Sequence, residues 1–138
     1  MKVFFDTNVY VAEALLGKAA EEMVAATERA EWRIFASTYL LDELERVLTE
    51  SLGFSRRLAV LSRQRIMRRA RLVEPGASRH AVPQDMNDSP ILCAALAAGV
   101  HCLVSNDRDL LAMNPYEGLQ ILSMADYRQL LIVEGLLS

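Results

Sequence analysis

The sequence predicts an α/β fold whose central sheet is mainly parallel and covered by helices on both faces. Two observations carry this. Short apolar segments rich in β-formers alternate with helical patterns from one end of the chain to the other, the order that produces parallel sheets. In addition, 52% of the 138 residues are apolar, enough to fill the core of one domain. No repeat, low-complexity tract or internal boundary divides residues 1–138, so a single domain is expected.

Each element follows from local pattern. Lys2-Val3-Phe4-Phe5 is short and apolar, as a buried strand should be, and it ends at Asp6. A helix is expected from Val9 to Leu16, stopping at Gly17, and another from Ala19 to Arg29. Arg33-Ile34-Phe35-Ala36 reads as the second strand. Ser37 is placed to cap a helix from Thr38 to Leu48, whose apolar stripe is Leu40, Leu41, Leu44, Val47 and Leu48. A helix pair is expected over Ser55 to Ala70, then a third strand at Arg71-Leu72-Val73. The stretch from Pro75 to Pro83 holds Gly, Ser and two prolines, hence a loop. Asp88 stands at an N-cap position, with Ser89 and Pro90 in the first turn. The helix Ile91 to Ala98 ends at Gly99. Strands are expected at Cys102–Ser105 and Leu119–Leu122, and Ser123 with Asp126 resembles a capping box opening the last helix.

Composition excludes several classes. No apolar run is long enough to cross a bilayer, and the first residues lack a signal-peptide pattern because Asp6 follows so soon; a cytoplasmic protein is the expectation. Cys93 and Cys102 match no zinc or redox spacing and read as buried free thiols. Nor do His80 and His101 show ligand spacing. Net charge is −3, but seven arginines fall between Arg56 and Arg71. That run is either a solvated helix face or an RNA surface, with Arg65, Arg68 and Arg69 as the candidates.

Chemistry concentrates in the acids. In open parallel sheets, sites lie beyond the carboxyl ends of the strands. Asp6 directly follows the first strand, Asp107 comes just after a later one, and Asp88 opens the helix leading into that same strand. Glu43 lies on the helix after the second strand, although Glu45 flanks the apolar stripe equally closely from its other side. Clustered carboxylates repel one another, and a hard cation such as Mg²⁺ or Mn²⁺ removes that cost. The chain has no glycine-rich phosphate loop and no serine–histidine–acid set, so phosphodiester hydrolysis is favoured over nucleotide binding. Asp88 can cap and ligate at once. Thr7, Asn8 and Ser105 are expected to orient the carboxylates, with Asp109 as a further helper. Asp6 as a phosphate-accepting nucleophile, in the haloacid dehalogenase manner, would want an acid where Asn8 stands.

Four blocks carry a family resemblance. Phe4-Phe5-Asp6-Thr7-Asn8-Val9, Leu40 to Leu48, Asp85-Met86-Asn87-Asp88-Ser89-Pro90-Ile91-Leu92, and Leu103 to Leu111 resemble, in order and spacing, those of PIN-domain proteins. Nearest are the toxin-component (VapC-like) ribonucleases of toxin–antitoxin pairs. The third block departs from the family, with Asn87 and Ser89 where further acids are common, and Asn106 stands in place of a frequent glycine. The resemblance implies a three-layer α/β/α PIN-like fold and selects Glu43 over Glu45. It implies a Mg²⁺- or Mn²⁺-dependent endoribonuclease with Asp6, Glu43, Asp88 and Asp107 as catalytic and metal-holding residues. It further implies an RNA substrate, an antitoxin partner and a homodimer, with Met23, Val24, Leu58 and Leu61 as candidates for the dimer surface. The alternative is a catalytically weak PIN-like module that binds RNA or protein.

Overall fold

The computed structural model describes residues 1–73 and 89–138. The expected Pro75–Pro83 loop, His80, Asn87 and Asp88 lie outside the described residues. Five strands form one all-parallel sheet: β1 (Lys2–Phe5), β2 (Arg33–Ser37), β3 (Ala70–Val73), β4 (Cys102–Val104) and β5 (Gln120–Leu122), in the spatial order β3-β2-β1-β4-β5. The order reverses between β1 and β4, which makes a crevice beyond their carboxyl ends the natural binding position.

Seven helices are described: α1 (Thr7–Ala14), α2 (Lys18–Arg29), α3 (Thr38–Arg46), α4 (Arg56–Arg69), α5 (Pro90–Ala98), α6 (Arg108–Leu111) and α7 (Met124–Val133). α3 runs on into a π-helical turn, Val47–Ser51. The break after α1 needs Gly17, because a Cβ there would lie 2.6 Å from the Ala12 carbonyl oxygen. Ser37, Ser55 and Ser123 cap their helices through side-chain oxygens, as does Ser89.

Three expectations change. Ser55 to Ala70 holds one helix rather than a pair: no Gly or Pro interrupts it, and Arg, Leu and Met are good helix formers. The cap of α5 is Ser89, expected in the first turn, whose Oγ accepts the Leu92 N–H at 3.2 Å; serine caps as well as aspartate, and Pro90 then takes the first helical position that suits it. Met23 and Val24 are fully buried in the core, so they offer no dimer surface, whereas Leu58 and Leu61 on α4 are about half exposed.

The core is continuous across the sheet. Phe5 meets Tyr10 and Tyr127 edge-on, with ring centroids 6.0 and 5.6 Å away, and the Tyr127 hydroxyl is 2.6 Å from Thr27 Oγ1. Cys102 is buried, and burial pushes its thiol up to about 12; Cys93 is half-buried, and neither forms a disulfide. No helix of the described residues is long and apolar enough to cross a membrane.

Candidate functional site

Asp6 is the residue at which β1 stops being a strand. Its backbone N–H still pairs with the Val104 carbonyl at 2.9 Å, while its side chain caps α1 by accepting the Thr7 N–H at 2.6 Å. One strand over, Ser105 N–H pairs with the Leu122 carbonyl. The pairing that aligns Phe5 with Val104 therefore sets Asp6 beside Ser105, and Ser105 Oγ donates to Asp6 Oδ2 at 2.6 Å. Asn8 Nδ2 makes a longer contact with the same oxygen, 3.5 Å.

Glu43 comes from α3. Thr7 Oγ1 donates a short hydrogen bond to Glu43 Oε1, and the Tyr39 hydroxyl donates to Oε2 at 3.3 Å. Arg46 stands 3.9 Å from Oε2. Glu45 points elsewhere, 3.6 Å from Arg63 on α4. Asp107 caps the short helix α6: its Oδ1 accepts the Asp109 N–H at 2.8 Å, and its own N–H is held by Ser105 Oγ at 3.0 Å. Asp109 thus reaches Asp107 through its backbone. Ser105 is the hinge of the group, donating to one acid and fixing the loop of another.

Asp6, Glu43 and Asp107 line one cleft of about 410 Å³ at the carboxyl edge of the sheet, together with Thr7, Asn8 and Tyr39. Asp6 is 6% exposed, Glu43 half-buried and Asp107 exposed. Burial raises the Asp6 pKa; hydrogen bonds from Ser105 and Thr7 oppose the rise, and the charges of Glu43 and Asp107 add to it. A carboxylate held this way is poised for a positive partner. Sequence reasoning missed Tyr39, for which the only available signal was its position one turn before Glu43.

A hard divalent cation can be tested against these groups. Among the described residues no three His, Cys, Asp or Glu side chains form a group that could hold a metal by themselves. Yet the lining offers carboxylate, hydroxyl and amide oxygens and neither thiol nor imidazole, and Mg²⁺ needs only one or two carboxylates while keeping its waters. The donor set fits Mg²⁺ or Mn²⁺ in kind, with Asp88 outside the described residues.

The basic run divides. Arg69 is spent: its two terminal nitrogens each meet a Glu13 carboxylate oxygen at 2.9 Å, and only a tenth of its side chain is exposed. Arg65 is half exposed and 3.6 Å from the same carboxylate, and Arg68 is exposed.

A family model described as "PIN domain" matches residues 2–109 of the chain, a span that includes Asp6, Glu43 and Asp107. No curated protein matches. Among solved structures, the fold is similar to that of the VapBC2 crystal structure from Rickettsia felis, bound to a DNA fragment from its promoter. The TM-score is 0.64 at 15% identity, covering 89% of this chain and 98% of that one. At that identity the likeness is one of fold.

Proposed function

The chain belongs to the PIN-domain family, and from that premise we propose that it is a metal-dependent endoribonuclease, the toxin of a toxin–antitoxin pair. One observation carries the reading: three acids from separate parts of the chain, Asp6, Glu43 and Asp107, line one cleft at the switch point of a parallel sheet. The VapBC2 structure supports the toxin assignment only through its fold.

Asp6, Glu43 and Asp107, joined by Asp88, would hold Mg²⁺ or Mn²⁺. When bound, such an ion would neutralise charge on the phosphate and ease loss of a proton from the attacking water. The chain's own residues prepare that chemistry. Ser105 and the Thr7 N–H fix the two oxygens of Asp6. The Thr7 and Tyr39 hydroxyls hold the two oxygens of Glu43 in place. Asp107, whose Oδ1 accepts the Asp109 N–H, would offer its other oxygen to the ion or its water.

Cleavage of single-stranded RNA should cease in excess chelator and return with Mn²⁺. Cleavage that persists in chelator would remove the metal mechanism. The competing reading, a catalytically weak module that binds RNA or protein, rests on the third block, where Asn87 and Ser89 flank Asp88; it requires RNA binding without cleavage under every metal condition.

The proposed RNA-binding face is narrowed by Glu13 to Arg65 and Arg68. Arg65→Gln with Arg68→Glu should weaken RNA binding and make its salt slope shallower by about one for each phosphate the protein no longer neutralises. An unchanged slope across a salt titration would make the run a solvated face. A homodimer, if formed, has Leu58 and Leu61 to use, and an antitoxin segment would have the acidic cleft to enter.

A further inference from the structure

Hydrolysis of a phosphodiester uses the acids, but it gives no reason for the rest of the cleft. Val11, Val47, Pro90, Ile91 and Leu110 also line it. Thr7 and Val11 on α1 are four residues apart, as are Glu43 on α3 and Val47 at the start of the π-helical turn that continues it, so each carries the cleft one turn from polar to apolar lining. Tyr39, a turn before Glu43, is the only aromatic residue among the described lining. Its side chain is 40% exposed, and none of the described ring or cation contacts involves it. Among the described residues no Lys or Arg lines the cleft, whereas Tyr39 offers it an exposed ring beside a carboxylate.

We propose that Tyr39 and the adjoining apolar lining seat one unpaired nucleobase beside the phosphate that the carboxylates address. This rests on the nuclease reading above and narrows its substrate to strands whose bases are free to leave the stack. Every base has a π-face, so an exposed tyrosine gives affinity with little sequence preference. The hydroxyl contact with Glu43 Oε2 ties the ring to the carboxylate, so a seated base and the reacting phosphate would share one register. A base already paired in a duplex cannot reach such a seat without the cost of unstacking.

The test measures binding apart from cleavage. The full chain carrying Asp107→Asn, an exposed position, is titrated in Mg²⁺ with single-stranded RNA containing 2-aminopurine, whose fluorescence falls on stacking. Quenching is expected, with Tyr39→Phe retaining it and binding within about twofold. Tyr39→Ala should lose the quench and bind about 5- to 150-fold more weakly. Tyr39→Leu, which keeps apolar bulk without the ring, should also lose the quench and guards against a fold defect in the alanine variant. A duplex of the same sequence should bind at least tenfold more weakly, without quench.

Wild-type quench and affinity in the Ala and Leu variants would overturn the proposal. So would equal losses for Phe and Ala, which would make Tyr39 only a positioning residue for Glu43, or a duplex that binds and quenches as well as the single strand. Cleavage is scored separately with Asp107 intact. If the stacking pattern holds and no RNA is cut, the nuclease reading fails and the base seat stands. If RNA is cut without the stacking pattern, the base seat fails and the nuclease reading stands.

Discussion

Asp6→Asn should reduce RNA cleavage by at least about a hundredfold while leaving the chain folded, since even partners that only orient a metal ligand are worth about 10- to 100-fold. The substitution keeps size and shape but removes the charge. One oxygen still accepts the Thr7 N–H, whereas the new amide meets Ser105 Oγ, which must then turn its own proton elsewhere. That broken hydrogen bond is set against relief of a buried charge facing Glu43 and Asp107, so stability should stay within about 1 kcal/mol and lean upward. The pH dependence has a definite sign. A carboxyl whose folded pKa is raised contributes stability fully below its unfolded pKa and loses it as pH rises through the folded value. In chelator, the wild-type chain should gain melting temperature on acidification from neutrality into that window, and Asp6→Asn should lose that component of the gain. In cells, wild-type expression without a partner should slow growth and Asp6→Asn should not. Retained cleavage by the variant would sink the role given to Asp6. Equal growth with both would count against a toxin but not against a processing nuclease.

How much of the fold and the site is legible in the sequence depends on whether the information is local. Three consecutive strand-forming residues, Val3 to Phe5, followed at once by a carboxylate mark both β1 and Asp6; Ser105 reads as the last residue of its strand, and only the structure ends β4 at Val104. A mainly parallel sheet follows from alternation alone; that every pairing is parallel is read from the strand register. Other features depend on tertiary partners. Glu43 and Glu45 flank the apolar stripe of α3 symmetrically, and a helical wheel cannot say that α1 lies on one side and Arg63 of α4 on the other. Ser89 and Asp88 are adjacent and both residue types cap well, so composition does not decide between them. Helix α6 escapes a periodicity argument because its four residues are too few to show a period; Asp107 with Asp109 before Leu110 and Leu111 is the available cap signal. The pair of Glu13 with Arg69 spans 56 positions of sequence, and the only hint is an acid set inside the apolar pattern of α1.

That pair should be the most costly single contact to break outside the core. Glu13 and Arg69 side chains are 5% and 10% exposed, joined by two hydrogen bonds of 2.9 Å, with the guanidinium 6.0 Å from the Tyr10 ring centroid. Arg69 Nε has no partner among the described residues, so Glu13 is its main compensation. Removing one member of a buried pair leaves an uncompensated charge, at a cost of about 3–5 kcal/mol. Glu13→Ala should therefore lower the melting temperature by roughly 10 °C in a chain of this size. Arg69→Ala should cost less, because Arg65 lies 3.6 Å from Glu13 and can take over part of the role. Replacing both by apolar residues, Glu13→Leu with Arg69→Met, should recover most of the loss, as buried pairs generally gain little over well-packed hydrophobes. A double-mutant cycle by thermal melts reads the coupling directly. Additive losses, or a Glu13→Ala change below about 1 kcal/mol as at an ordinary surface site, would show that the pair is not what joins α1 to α4. Since α1 begins at Asp6 and Thr7, loosening it should also reduce RNA cleavage near the melting range while leaving low-temperature activity close to wild type. Loss of activity far below that range would instead mean that Glu13 positions the carboxylates in the folded state.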